Sequence, residues 1–74
     1  MVKQTFGDFW KGELRKRDVT YRDLADRLSV SLGTIGYHIN KDWRNWTLGE
    51  VELFCAASGI EFREAVIALI RLQR

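Results

Sequence analysis

Residues 20–35 read TYRDLADRLSVSLGTI, and no other segment says as much about the architecture. Apolar residues recur at the spacing of one helix face in two segments, as Leu24, Ala25 and Leu28 within Tyr21–Leu28 and as Ile35 and Ile39 from Leu32 onward. A threonine precedes the first segment and a serine the second, and such hydroxyls accept a hydrogen bond from an otherwise unpaired amide in the first helical turn. Only residues 29–31 separate the two segments, so the pattern predicts two short helices joined by a tight turn.

Helical patterns continue on both sides of this pair. A hydroxyl residue followed three positions later by an acid, the pattern of a capping box, begins at Thr5, Thr20 and Thr47. The apolar spacing predicts three further helices, over about 6–17, 48–58 and 62–73, and extends the one that starts at Leu32 to Asn40. No alternating β-branched run is bounded by turns, and Gly59 is expected to end the fourth helix. We therefore predict an all-α protein, a compact five-helix bundle.

One face of each predicted helix is apolar and is expected to form the core. The turn between the short helices should be locked by Leu24, Leu28, Val30 and Ile35. The other expected core residues are Phe6, Phe9, Trp10, Leu14, Ala25, Ile39, Leu48, Val51, Phe54 and Cys55. Trp46 is expected to fill the core beside Leu48, and the last helix should turn inward a stripe of Phe62, Val66, Leu69 and Ile70.

The composition limits the chemistry. The 74 residues allow one domain, residues 1–74, and one cysteine with one histidine excludes a disulfide framework or a multi-cysteine zinc site. No nucleophile–base pair, phosphate-cradling glycine loop or metal-ligand spacing is present, so we expect neither enzyme activity nor a cofactor. No apolar run reaches the about 20 residues of a membrane span. The first residues also lack the apolar stretch of a signal peptide, so we expect a cytoplasmic protein with no membrane partner.

Carboxylates are absent from one part of the chain. The ten acidic residues leave residues 28–41 without a negative charge, although Asp23 and Asp26 lie just before this segment. The net charge of +2 is small, so the placement of the charges is more informative than their sum. The gap is either a chance of composition or a face that meets phosphate groups.

Residues 20–35 resemble the paired helices of the phage repressor and Cro-like family, the lambda-repressor-like or XRE-type helix-turn-helix proteins. Residues 47–60 resemble the fourth helix of that family and its exit, and the resemblance covers residues 20–66. It implies a helix-turn-helix over about residues 20–40 whose second helix enters the major groove. It further implies a transcriptional regulator, a phage or prophage-type repressor that occupies a palindromic operator in double-stranded DNA. With no sensor attached, no small-molecule effector is expected.

The sequence departs from the family pattern in informative places. Ser29 stands where the family usually has glycine, and His38 where it usually has an apolar residue. A tryptophan-bearing loop, residues 41–46, replaces a shorter connection. The start of the recognition helix often carries a glutamine that reads adenine, but this chain has Leu32 and Gly33 there. The base-reading chemistry of that glutamine therefore does not carry over.

The candidate DNA-binding residues lie on and around the predicted third helix. Its outward face should carry Leu32, Gly33, Gly36, Tyr37 and Asn40. Tyr37 can bond a base or phosphate, and Leu32 can touch a thymine methyl. The two glycines are either tolerated, or relieve packing against the second helix, or let the backbone approach base edges. The expected phosphate contacts are Arg22, Thr34, Asn40, Lys41 and Arg44, and Tyr21 at the start of the second helix is a further candidate DNA-binding residue.

Two further questions remain open at the level of sequence. The last helix has more apolar surface than one core needs, which predicts a homodimer through Ile67, Ile70 and Leu72. The competing arrangement is that Ile67 docks against the first helix. The alternative function is a protein-interaction module, such as an antitoxin or anti-factor, which Trp43, Trp46 and the last helix would serve.

Overall fold

Five α-helices account for most of residues 5–73, which are the residues that the structure, a computed structural model, describes. They are α1 (Phe6–Lys16), α2 (Tyr21–Leu28), α3 (Leu32–Asn40), α4 (Leu48–Ser58) and α5 (Phe62–Leu72). A single 3-10 turn, Trp43–Asn45, lies between α3 and α4, and residues 5–73 contain no strand. The all-α prediction is confirmed, and α1 and α5 each end one residue earlier than expected.

The helix starts follow from local hydrogen bonds that the sequence predicted. Thr5, Thr20 and Thr47 each cap a helix, and in every case the acid three residues later bonds back to the amide of the cap. Ser31 caps α3 alone and accepts a bond from the amide of Thr34. These bonds satisfy amides that a helix start otherwise leaves without a partner, which is why four boundaries agree with the sequence pattern.

The tight turn after α2 is held by a residue in the left-handed region. Ser29 has φ 57° and ψ 44°, and this reversal lets the amide of Val30 bond the carbonyl of Ala25 at 3.0 Å. Such angles cost an L-residue about 1 kcal/mol and cost glycine almost nothing. The geometry thus explains why glycine is favoured at this point, and Gly59, with φ 83°, ends α4 in the same region as predicted.

An aromatic cluster fills the centre of the bundle. Trp10 is fully buried, and its ring stacks on Trp46 with centroids 5.4 Å apart and an interplanar angle of 17°. Phe6 and Phe54 meet Trp46 edge-on at 5.3 and 4.9 Å. The predicted core position of Trp46 is confirmed. Leu24, Ile35 and Ile39 are fully buried as well, and they anchor α2 and α3 to this cluster.

The first helix approaches the end of α3 so closely that one glycine is required. Gly7 is buried, and a Cβ added there would collide with the backbone carbonyl of Ile39. Backbone atoms cannot move aside as the end of a flexible side chain can. Gly7 therefore sets the distance between α1 and α3, and through it the orientation of the exposed side of α3.

Some core predictions were wrong. Leu48 is 61% exposed, whereas Trp46, which was expected beside it, is buried in the core. Val30 is 40% exposed in the turn. In α5 the fully buried residue is Ala65, while Phe62 and Ile70 are 40% and 46% exposed. The helix is rotated so that Ala65 is its most buried residue, while Leu69 of the predicted stripe still packs half-buried against the core.

Candidate nucleic-acid interface

The outward face of α3 is the side that the sequence predicted. Ile35 and Ile39 are fully buried, which turns the opposite side of the helix to solvent. Leu32 is 46% exposed and Tyr37 67%, and Gly33 and Asn40 are exposed as well. Gly36 is half-buried by the same measure. The structure therefore brings the five predicted contact residues of this helix onto one accessible face.

The two glycines of α3 have no role in the packing of the described chain. A Cβ added to Gly36 would have no other group within 4 Å, and one added to Gly33 would meet only the hydroxyl oxygen of Ser31 at 3.9 Å. Gly7, by contrast, is held by a backbone collision. The interpretation that Gly33 and Gly36 relieve packing against α2 is therefore wrong.

Two polar side chains of α3 are partly engaged with the helix itself. The hydroxyl of Thr34 lies 2.8 Å from that of Ser31, where either can donate. The amide nitrogen of Asn40 donates to the carbonyl of Gly36 at 2.9 Å, which holds the side chain along the helix. The side-chain oxygen of Asn40 is not used in this bond, so a ligand at this face would meet a hydrogen-bond acceptor there.

Lys41 lies inside an ion-pair cluster. Its side chain is only 8% exposed, and its ammonium group donates to the carboxylate of Glu50 at 2.9 Å. The ammonium nitrogen also lies 5.2 Å from the centroid of the Trp46 ring, within cation–π range. Lys41 thus joins the end of α3 to the start of α4, and the structure does not place it where a phosphate would reach it.

Glu50 is the centre of this cluster, and sequence reasoning missed that role. One carboxylate oxygen accepts from the capping amide of Thr47 at 2.8 Å, and the other accepts from Lys41 and from the ring of His38, both at 2.9 Å. Burial raises the pKa of this carboxyl, but the bonds from Lys41, Thr47 and His38 and the charge of Lys41 outweigh burial and lower it to about 2. The capping box at Thr47 was the only sequence signal that placed Glu50.

His38 connects α3 to the core. One ring nitrogen, Nδ1, lies 2.9 Å from the carbonyl oxygen of Thr34, and the other, Nε2, lies 2.9 Å from the carboxylate of Glu50. The ring stacks on Phe54 with centroids 5.6 Å apart. His38 thus lies half-buried at the edge of the core.

The start of α2 carries one exposed cation. Arg22 is exposed in the first turn, and Tyr21 beside it is half-buried against the core, where burial raises the pKa of its phenol. The carboxylate of Asp23 bonds the amide of Thr20 at 2.9 Å and occupies the same turn. That negative charge weakens the attraction of this helix end for an anion, so the exposed positive charge of this turn is that of Arg22.

The connection between α3 and α4 presents the second exposed cation. The guanidinium of Arg44 lies 5.0 Å from the centroid of the half-buried Trp43 ring and 3.4 Å from the carboxylate of Asp42. The side chain of Arg44 is 71% exposed. An exposed pair such as Arg44–Asp42 is weak and is screened by salt, so Arg44 can turn to an external anion.

The start of α3 differs electrostatically from the other helix starts. α1, α2, α4 and α5 each carry an acid in the first turn, namely Asp8, Asp23, Glu50 and Glu64, whereas α3 carries none. The partial positive charge at the start of α3 is therefore not offset by a carboxylate of its own. The side of the molecule with Leu32, Gly33 and Tyr37 is the one that suits a negatively charged partner.

Other chemistry has less support. No helix within residues 5–73 combines the length and the apolar character needed to cross a membrane. Over the same residues, no group of three or more potential metal-ligating side chains comes together. Burial raises the pKa of the Cys55 thiol to about 11, which leaves it un-ionised at neutral pH.

Comparison of the chain with protein-family models, with curated proteins and with solved structures found no match.

Proposed function

We propose that this chain is a sequence-specific double-stranded DNA-binding protein of the helix-turn-helix type, with α3 as the helix that enters the major groove. The observation that carries the proposal is the outward face of α3. It is accessible, it follows α2 through a tight turn, and its first turn has no carboxylate. Arg22 and Arg44 lie at the starts of the two neighbouring elements and supply the positive charge that phosphates need.

The glycines support an external partner. Each costs a helix about 1 kcal/mol relative to alanine, and nothing in the described chain uses the space that they leave. Leu32 and Tyr37 flank them on the same face. A base edge that reaches the backbone between these two side chains would meet apolar contact from Leu32 and a hydrogen-bonding hydroxyl from Tyr37.

The proposed mechanism is occupancy. The protein would act as a repressor by covering a palindromic operator in the cytoplasm, without catalysis and without a small-molecule effector. Tyr37 would contribute to the choice of sequence, whereas Arg22 would bind phosphate and contribute equally on all sequences. The division of roles rests on the exposure of both side chains and on their positions on α3 and α2.

The alternative is a protein-interaction module on the same scaffold. Leu48 and Leu53 favour it, because both are about three-fifths exposed on α4 at 61% and 60%. Trp46 no longer supports it, since that ring is buried in the core. Such a module would bind a protein and leave duplex DNA alone.

Duplex binding at two salt concentrations tests the proposal. Labelled DNA from the promoter of the protein's own gene should bind, and a dimer with about 6–10 phosphate contacts should lose roughly 10³-fold in affinity between 50 and 200 mM salt. Tyr37→Ala should reduce the preference for that DNA over random duplex, by about 1–3 kcal/mol for one lost base contact. Arg22→Ala is the matched control and should weaken both duplexes alike. Absence of binding at low salt would rule the proposal out.

A further inference from the structure

The glycines of α3 lie at the centre of its outward face. Gly33, Gly36, Tyr37 and Asn40 follow the spacing i, i+3, i+4, i+7, which places them in one stripe along the helix. Leu32 lies beside this stripe, one turn before Gly36. Because Leu32 and Tyr37 are both exposed and stand out from the helix, the backbone at the two glycines lies lower than its surroundings. We call this shallow depression of the outward face the glycine cleft.

The glycine cleft has room for a group the size of a methyl. A Cβ added to Gly36 would have no other group within 4 Å, and one added to Gly33 would meet only the hydroxyl oxygen of Ser31 at 3.9 Å. The space that an alanine side chain would fill at Gly36 is therefore open to a group of similar size on a partner.

The surface of the cleft is mainly apolar. The carbonyl oxygen of Gly36 accepts the side-chain amide of Asn40 at 2.9 Å, so this polar atom is already engaged. The α-carbon of Gly36 and the exposed side chain of Leu32 remain for contact. An apolar group gains free energy when it leaves water for such a surface, whereas a polar group would lose its hydrogen bonds to water without replacement.

The major groove of DNA exposes one apolar group of this size, the 5-methyl group of thymine, and otherwise presents hydrogen-bond donors and acceptors. Guanine is most often read by two donors from Arg or Lys. Residues 32–40, all of which the structure describes, contain neither, and the ammonium group of Lys41 is held by Glu50 at 2.9 Å. The outward face of α3 thus suits a T·A pair better than a G·C pair.

We propose that the glycine cleft binds the 5-methyl group of a thymine, so that α3 selects a T·A pair at this point of the DNA. The inference rests on the proposed DNA binding and names the base that the helix reads. Because Gly33 and Gly36 have no side chains, the methyl group reaches the helix backbone. Leu32 packs against it from one side, and the ring of Tyr37 closes the other side.

Replacing every thymine of the promoter duplex with deoxyuridine tests the inference, because this removes the 5-methyl groups and leaves base pairing unchanged. The wild-type chain should bind the uracil duplex roughly fourfold more weakly for each methyl group that it buries. Leu32→Ala should reduce this difference, since it removes one wall of the cleft. Arg22→Ala is the control for phosphate contacts, and it should weaken binding to both duplexes without changing their ratio.

Gly36→Ala moves the methyl group from the DNA to the protein. The added methyl occupies the cleft and conflicts with that of thymine, so this variant should bind the uracil duplex at least as tightly as the thymine duplex. Gly12→Ala in α1 is the matched control, because its Cβ also meets no group within 4 Å, and it should keep the wild-type ratio. A folded Gly36→Ala protein that keeps the wild-type preference for thymine would overturn the cleft as the binding site.

A third duplex distinguishes the two bases that can carry a 5-methyl group. With every cytosine replaced by 5-methylcytosine, the promoter duplex should bind no more tightly than the unmodified one. A gain in affinity there, without a loss on the uracil duplex, would overturn thymine as the source of the methyl group. Equal binding of the thymine and uracil duplexes by the wild type would overturn the inference and leave DNA binding standing. Absence of binding to every duplex at low salt would instead remove the proposed function, and this inference with it.

Discussion

The ammonium group of Lys41 donates a 2.9 Å hydrogen bond to the carboxylate of Glu50, and this ion pair ties the last turn of α3 to the first turn of α4. Glu50 accepts from His38 in α3 as well. The exposed face of α3 is therefore positioned by a carboxylate on another helix.

Acid should weaken the fold through Glu50. Its pKa is about 2 in the folded chain against 4.5 for a free carboxyl, so its stabilisation is fully present above about pH 5 and is lost as the pH falls towards 2. We expect the free energy of unfolding to fall by about 1–2 kcal/mol from this group over that range, since partial exposure screens the interaction. Urea titrations at several pH values measure it. Glu50→Gln should flatten the profile, and Glu52→Gln, an exposed neighbour, should not.

The two cations at the end of α3 should behave in opposite ways. Lys41→Met leaves the Glu50 carboxylate without its main partner and should destabilise the fold by about 1–3 kcal/mol. Arg44→Ala removes an exposed side chain and should change stability by less than about 0.5 kcal/mol while weakening DNA binding. Thermal unfolding and duplex titration on both variants check this. A stable Lys41→Met protein with a selective loss of DNA binding would contradict the structural role given to Lys41.

Ser29 offers a gain in stability without a new contact. Its φ of 57° is unfavourable for serine and natural for glycine, so Ser29→Gly should stabilise the fold by about 1 kcal/mol or less, since a flexible unfolded chain offsets part of the gain. Gly59→Ala makes the reverse change at φ 83° and should destabilise the fold. Denaturant unfolding of both variants, with opposite signs expected, is the measurement. Equal signs would show that the left-handed backbone is not what decides their stability.

The glycines of α3 separate stability from binding. Gly36→Ala should raise the helix stability by up to about 1 kcal/mol, because the added methyl has open space. The same methyl should weaken duplex binding if a base edge approaches there. Gly12→Ala in α1 also has open space and is the control, with the same gain in stability and unchanged binding. If Gly36→Ala binds DNA as tightly as Gly12→Ala does, the close approach at Gly36 is wrong.

The helices and most of the core could be predicted from the sequence, because their signals are local. The hydroxyl–acid pairs at Thr5, Thr20 and Thr47 mark helix starts through bonds that span three residues. Trp46 could be placed because the core is the one region of a small helical bundle that can bury a large indole ring. These inferences needed no knowledge of which helices meet.

The predictions that were wrong concern residues whose positions depend on contacts between distant parts of the chain. Apolar residues surround α5 on most sides, so its spacing does not say which side faces inward, and the buried position of Ala65 follows from how closely α1 and α4 approach. Lys41 reads as a surface cation until the turn at Trp43–Asn45 brings it back onto Glu50, nine residues later. The local spacing of apolar and charged residues predicts neither the rotation of a helix in the bundle nor the path of a turn.

Amide chemical shifts of the ¹⁵N-labelled chain, followed as duplex DNA from its own promoter is added, test the central claim most directly. The account predicts that the largest changes occur at Gly33, Gly36 and Tyr37 on α3, with smaller ones at Arg22 and Arg44. Leu53 on α4 should be unaffected. Changes that centre on α4, or spectra that do not respond to DNA at low salt, would contradict the assignment of α3 as a DNA-reading helix.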